Sequence, residues 1–407
     1  MKNLTKLFLG TVSLAGLLGV AAPAMAQDAA APAAAPAAPA PAPVPMPAMG
    51  GPLTNNPAPF SLDSVPGLDD ILGKVYVSGA LSGMVMGQTN AHEIPGDRDG
   101  YMDLTNGTVT LQKTDGWFQW YVQAGAYSYP TLGTPYTNAS NTGAATFGAV
   151  PQAWGKVVLS DSFNVIAGEL PTLIGDETAF TYENMNVERG LLFAQEPLVS
   201  RGVQANYASG PFSASVSWND GYYSNRYSEI SGLVSYAFNG GADTVAVAAE
   251  GQLGHTGYGN AGSSLFQNNS SIYNFIWTHT SGNWTISPYF QYTNSDRYHD
   301  DSTGGALLVT YAFNDFWKLS GRVEYVGSSG AQNALVGPSS NGFFYGAGSN
   351  AFTFTITPTW QYKRFFVRPE LSYVSASSVN TKAGLGLGQF GTDTDQFRGL
   401  IETGILF

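Results

Sequence analysis

Residues 350–376 read NAFTFTITPTWQYKRFFVRPELSYVSA and alternate apolar with polar side chains along two stretches. In the first stretch Phe352 and Phe354 share one face, and Thr353 lies on the other. Such alternation is typical of a β-strand whose two faces meet different surroundings. Only Lys363 separates the two stretches. The pattern therefore predicts two antiparallel strands joined by a tight turn, with one apolar and one polar face.

The same alternation recurs along most of the chain. It predicts about sixteen strands, at residues 74–88, 103–113, 117–128, 147–160, 162–170, 200–208, 211–219, 228–238, 243–254, 270–280, 283–294, 303–313, 316–328, 350–362, 364–376 and 396–407. Alternate connections are short, such as 114–116, and those between them are long, such as 329–349. Short turns at one end and long loops at the other are typical of bacterial outer-membrane barrels. We therefore predict an all-β fold, a closed antiparallel transmembrane β-barrel of about sixteen strands.

The composition favours such a barrel over a soluble β-sandwich, which is the alternative for an all-β chain. Charged residues make up only 11% of the sequence and aromatic residues 13%, whereas an average soluble domain is about 25% charged. After the N-terminal region, no segment approaches the roughly 18 continuous apolar residues of a membrane-spanning helix. Only helices and closed barrels satisfy every backbone group in lipid. We therefore expect strands to cross the bacterial outer membrane, with its lipid as a partner.

The first 73 residues precede the predicted barrel, and the lead-in among them is either a tail that only adds spacing or a segment that contacts the cell wall or plugs the barrel. Lys2 and Lys6 precede an apolar run that ends in Ala24-Met25-Ala26, which is typical of a secretory signal peptide. The Ala/Pro-rich sequence that follows favours an extended spacer, because it cannot bury a core. The predicted segments are a signal peptide at 1–26, a periplasmic Ala/Pro-rich spacer at 27–49, a lead-in at 50–73 and the barrel at 74–407.

The charge balance excludes nucleic acid as a partner. Removal of Lys2 and Lys6 from the 17 basic residues leaves 15 against 29 acidic ones, a balance of about −14. Nucleic-acid-binding proteins carry basic surfaces that neutralise phosphates. The chain has no cysteine, so we expect no disulfide to stabilise it outside the cytoplasm.

One connection, residues 171–199, departs from the alternation and is unusually long and acidic. Loops beyond about a dozen residues are uncommon in compact domains unless they are functional or disordered. Apolar residues such as Leu173, Ile174 and Phe180 argue against disorder. We therefore predict a long third loop that folds inward as a pore constriction; the alternative is a solvated loop that points outward. Its candidate functional residues are Asp176, Glu177, Glu183, Glu188 and Arg189.

Charged residues also occur in the polar phase of the predicted strands. Arg or Lys facing lipid at the membrane midplane costs about 2–4 kcal/mol, so these side chains are expected to face the lumen. The predicted pore wall consists of Lys156, Lys318, Arg322, Glu324, Arg368, Glu370, Arg398 and Glu402. In a barrel of sixteen strands most of them lie opposite the acidic loop. They could instead neutralise one another as cross-strand ion pairs that hold the wall together.

No pattern indicates catalysis, a metal site or a cofactor. The four histidines lack metal-ligand spacing. The segment GLGLGQFG at 384–391 lacks the lysine and the strand–helix context of a phosphate-binding loop. We therefore predict that the chain is not an enzyme, and an outer-membrane hydrolase is the least favoured function.

Two sets of motifs resemble known outer-membrane proteins. The C-terminus GLIETGILF, with Ile405 and Phe407, resembles the terminal-strand signal that barrel-assembly machinery recognises, although some versions carry glycine where Glu402 stands. The segments GELPTLIGDE (168–177), ERGLLF (188–193) and EPLVSRGV (196–203) are similar to the OmpL-like β-barrel porin family. This resemblance implies passive diffusion of small hydrophilic solutes or ions. Opposed charges on loop and wall would then resemble the constriction of general porins, where a transverse field filters solutes.

A second hypothesis assigns the chain a structural role. The Ala/Pro-rich spacer would tether the barrel to the cell wall through a peptidoglycan contact, and transport would be secondary. A homotrimer is expected only by analogy with other sixteen-stranded porins.

Overall fold

The computed structural model describes residues 53, 60–61, 73–91, 97–255, 267–295, 300–329 and 345–407. The predicted signal peptide and spacer lie outside the described residues, as does most of the lead-in. Within the described part of the chain, no helix is long and apolar enough to cross a membrane.

The chain forms a closed antiparallel β-barrel, as predicted. Its strands are β1 (Phe60–Ser61), β2 (Val75–Gln88), β3 (Gly100–Lys113), β4 (Phe118–Tyr127), β5 (Gln152–Ser160), β6 (Phe163–Pro171), β7 (Val199–Ser209), β8 (Phe212–Asn219), β9 (Glu229–Phe238), β10 (Asp243–Gln252), β11 (Ser271–Ser281), β12 (Trp284–Ser295), β13 (Asp300–Ala312), β14 (Trp317–Ser328), β15 (Asn350–Tyr362), β16 (Phe365–Ser377) and β17 (Asp395–Leu406). The described helices are α1 (Ala139–Ala145) and the 3-10 turns Thr181–Glu183, Phe193–Gln195, Asn239–Gly241, Gln267–Asn269 and Thr381–Ala383. The sixteen strands from β2 to β17 pair in sequence order, and β17 closes the barrel against β2, where Glu402 is opposite Met84.

The predicted strands match the observed ones within a few residues, with one larger difference. The strand predicted at 147–160 begins only at Gln152, and the preceding connection contains α1. Gly148 has φ +76°, outside the strand region, and its carbonyl accepts a hydrogen bond from the Tyr127 hydroxyl (2.7 Å). Phe147 packs edge-on against Tyr129 and Tyr223, whereas Ala149 and Val150 are exposed, and the strand begins after them.

The two faces of β15 confirm the reading of its alternating sequence. Thr353, Thr355 and Thr357 are fully buried inside the barrel, whereas Phe352 and Phe354 are about half exposed on its outer face. An outer band of aromatic and aliphatic side chains is what a lipid environment requires. The inner face of β15 is not open to water as a polar lumen would be, because a loop covers it.

Candidate functional site

The loop between β6 and β7 lies against the inner wall of the barrel. Backbone N–H groups of Val187 and Glu188 donate to the two carboxylate oxygens of Glu370 on β16, at 2.6 and 2.8 Å. The Thr357 hydroxyl on β15 also donates to Glu370 (2.5 Å). A wall carboxylate thus accepts hydrogen bonds from loop backbone groups that no regular strand or helix would satisfy.

Arg322 and Glu324 on β14 contact two separate parts of the loop, near Glu177 and at residues 188–191. Arg322 forms a buried ion pair with Glu177 and donates to the carbonyl oxygen of Glu188 (2.8 Å). Glu324 accepts the backbone N–H of Leu191 (3.0 Å). A Cβ at Gly190 would lie about 2.0 Å from the Glu324 carboxylate, so a larger residue there would displace that side chain from its contacts with the loop.

Arg368 on β16 is fully buried and donates hydrogen bonds to the backbone of the loop. Its guanidinium donates to the carbonyl oxygens of Thr181, Asn184 and Met185 at 2.8, 2.9 and 3.0 Å. It also lies 3.4 Å from the carboxylate of Glu402 on β17. The planar guanidinium carries five donors in fixed directions, which suits it to bind several carbonyls at once.

Arg398 on β17 joins the loop to a second loop. It pairs with Glu188 (2.9 Å) and donates to the side-chain oxygen of Gln88 (2.7 Å). It also donates to the carbonyl of Thr131 (2.8 Å), in the connection between β4 and β5. The Ser372 hydroxyl donates to the other carboxylate oxygen of Glu188 (2.6 Å). Every oxygen of Glu188 is therefore paired on the wall.

Arg189 and Asp176 belong to the loop and are buried. The Arg189 guanidinium donates to the carbonyl of Thr178 (3.2 Å) and lies 5.8 and 5.6 Å from the rings of Tyr129 and Phe193. Asp176 accepts from the Ser287 hydroxyl on β12 (2.7 Å), and burial raises its pKa to about 7.

Apolar contacts hold the loop on several sides of the lumen. Ile174 packs with Leu233 and Ile272 of β9 and β11. Val187 packs in another cluster with Met86 and Leu400 of β2 and β17. Two of the predicted wall arginines, Arg322 and Arg398, pair directly with the loop acids Glu177 and Glu188 and are almost completely buried. Their role in a pore constriction stays a prediction.

Two charged residues of the predicted set remain half-buried, Glu183 on the loop and Lys156 on β5. Burial raises the pKa of Glu183 to about 7. Lys318 lies near the short turn between β13 and β14 and is almost buried. The structure therefore brings together Glu177, Glu188, Arg322, Glu324, Arg368, Glu370, Arg398 and Glu402, and leaves Lys156, Glu183 and Lys318 outside that network.

Several residues that hold the loop were not predicted, and Thr181 and Leu53 are examples. The Thr181 hydroxyl donates to Glu402 (2.5 Å), and Leu53 packs inside the barrel with Phe366, Leu406 and Tyr182. An uncharged Thr in a loop and a Leu in a Pro-rich lead-in give no sequence signal for these contacts. At the C-terminus, Ile405 is exposed on the outer face and Phe407 exchanges backbone hydrogen bonds with Gly79 at 2.7 and 3.0 Å.

Comparison with known proteins identifies similar chains. A family described as "Putative beta-barrel porin-2, OmpL-like" matches residues 74–407. An anion-selective porin from Comamonas acidovorans is similar in structure, with a TM-score of 0.52, 12% identity, and coverage of 82% of this chain and 99% of the porin. The outer-membrane channel DcaP of Acinetobacter baumannii gives a TM-score of 0.53, 10% identity, and coverage of 82% and 97%. These identities show a shared fold alone. No curated protein matches the sequence.

Proposed function

Since the chain belongs to the OmpL-like β-barrel porin family and is a porin channel of the bacterial outer membrane, we propose that small hydrophilic solutes or ions cross it by passive diffusion. The lumen would be narrowed by the loop between β6 and β7. The observation that carries this proposal is the attachment of the loop to the wall through Arg322, Arg368 and Arg398. A loop held in this way narrows the lumen at a fixed position.

We propose different roles for the two groups of charged residues. The buried pairs, such as Glu188 with Arg398, position the loop, because opposite charges in direct contact largely cancel each other's field at a passing ion. Glu183 and Lys156 are half-buried, so they act on solutes directly. The passage would then run beside β4 and β5, on the side of the loop that is not filled by the arginine network.

Measurements in planar bilayers test this proposal. Refolded protein should give stepwise conductance, and a correctly folded but silent barrel would contradict it. Under a KCl gradient, Glu183→Gln should shift the reversal potential towards lower cation preference, because a negative charge is lost from the passage. The control is Asp115→Asn, which removes a charge at the turn between β3 and β4. Equal reversal potentials for both variants would show that Glu183 does not line the passage.

The remaining partner assignments are also proposals. Lipid surrounds the barrel, and the exposed Ile405 supports recognition of β17 by barrel-assembly machinery. Chemical cross-linking in detergent would test the homotrimer.

Co-sedimentation with peptidoglycan, before and after deletion of residues 28–49, would test the spacer as a tether. Binding that depends on the spacer, together with a silent channel, would favour the structural hypothesis.

A further inference from the structure

A leucine from the lead-in lies inside the barrel at its periplasmic end. Leu53 is 8% exposed, and its cluster contains Ala80 of β2, Phe366 of β16, Leu406 of β17 and Tyr182 of the loop between β6 and β7. Phe366 directly follows the short turn that joins β15 to β16, and short turns mark the periplasmic end of such barrels. Leu53 therefore occupies the lumen where it opens to the periplasm.

The lead-in also pairs with the barrel through its backbone, at the seam between the first and last barrel strands. β17 and the C-terminal residue pair with β2 as far as Gly79. Beyond that point β1 takes their place, with Phe60 opposite Val77 and Ser61 opposite Tyr76. β1 thus covers an edge of β2 that would otherwise present unpaired N–H and C=O groups. The lead-in has two separate contacts with the barrel, one through a side chain and one through the backbone.

These two contacts hold the lead-in more weakly than the buried arginines hold the loop. Burial of one leucine side chain favours the bound position by about 10- to 100-fold. Pairing of two residues, Phe60 and Ser61, adds little, because short strand pairs are marginal in water. Attachment of Leu53 is therefore favoured but reversible, as a regulatory contact requires.

We propose that Leu53 and β1 form an intramolecular latch, in which Leu53 occupies an apolar pocket of the wall and supports the loop from its periplasmic side. Tyr182 connects the latch to the loop. Its hydroxyl accepts from the Gln123 amide on β4 (3.2 Å), and the carbonyl of the preceding Thr181 accepts from Arg368 (2.8 Å). Detachment of Leu53 removes an apolar contact at this point and frees the space that its side chain fills, so the lumen is narrower while the latch is bound.

Thiol labelling of the full-length protein in detergent micelles tests the position of Leu53. The chain contains no cysteine, so Leu53→Cys and Leu253→Cys each carry one thiol, and Leu253, which is 67% exposed, is the matched control. A maleimide should label residue 53 at least about tenfold more slowly than residue 253. Adding Phe366→Ala removes one side of the pocket and should speed labelling at residue 53 but not at residue 253. Equal rates in the two single variants, or no effect of Phe366→Ala at residue 53, would overturn the latch.

Planar-bilayer recordings test the effect of the latch on the current, which rests on the proposed channel function. Leu53→Asn keeps the approximate size of the side chain and makes it polar, so it should detach the latch and give a higher mean conductance with more current noise than Leu253→Asn. Heat-modifiable mobility on gels would establish that each variant is folded. Equal conductance and noise in the two Asn variants would overturn control of the current by Leu53. A silent wild-type barrel would overturn the channel function itself, whereas the labelling rates would still decide the position of Leu53.

Discussion

Replacement of Arg368 by Met should release the loop from the wall of the barrel. The substitution keeps an unbranched side chain of similar length and removes the donors to the carbonyls of Thr181, Asn184 and Met185. It also leaves Glu402 buried without its cation, although hydroxyl donors remain. Removing one partner of a buried ion pair typically costs about 3–5 kcal/mol.

A cost of this size in the closed position changes the ratio of closed to displaced loop by a factor of about 100 to several thousand, since 1.4 kcal/mol is tenfold. Single-channel recordings should therefore show larger and noisier conductance than the wild type. The control is Arg98→Met, at an exposed arginine before β3. Adding Glu402→Gln to Arg368→Met should bring the conductance and its noise part of the way back to the wild-type values, because it removes the unpaired charge. Conductance and noise equal to those of Arg98→Met would show that Arg368 does not hold the loop in place.

Three further predictions concern the loop and the C-terminal strand. Burial holds the pKa of Asp176 and of Glu183 at about 7, above the values of about 4 in water. Protonation of these carboxyl groups therefore favours the closed loop, which should lose stability as the pH rises from about 4 to 7. Cation preference should rise over the same range, and reversal potentials would record it. Gly190→Ala should destabilise the closed loop by about 1–3 kcal/mol through a collision with Glu324, and an unchanged unfolding temperature on gels would contradict this. Deletion of Phe407 removes its two backbone hydrogen bonds to Gly79 and should lower the yield of assembled barrel in membranes, with normal yield as the contrary result.

The barrel could be predicted from the sequence because its signal is local. Alternation along β15 depends only on which face of a strand meets lipid, and the lengths of the connections report which end of the barrel they occupy. The start of β5 was misplaced because the apolar residues at 147–151, which belong to the preceding connection, resemble those of a strand start.

The details of the site could not be predicted, because they depend on how far each strand is shifted along its neighbour. The pairing of Glu188 with Arg398 rather than Arg368 follows from that shift. Arg368 binds backbone carbonyls, and no side-chain pattern indicates such a contact. The sequence could suggest an inward loop from its apolar residues, but not that the arginines would be buried beneath it.

Cross-linking of the loop to the wall would show directly whether the loop lies inside the barrel. The Asn186 amide donates to the Thr357 hydroxyl on β15 (2.7 Å), so the two side chains are in contact inside the barrel. The chain contains no cysteine, so the double variant Asn186→Cys with Thr357→Cys carries only the intended pair. Mild oxidation of intact outer membranes should form this disulfide with little change in conductance, whereas Asn186→Cys with Thr285→Cys on β12 should not cross-link. Absence of the 186–357 disulfide in a folded barrel would contradict the inward position of the loop.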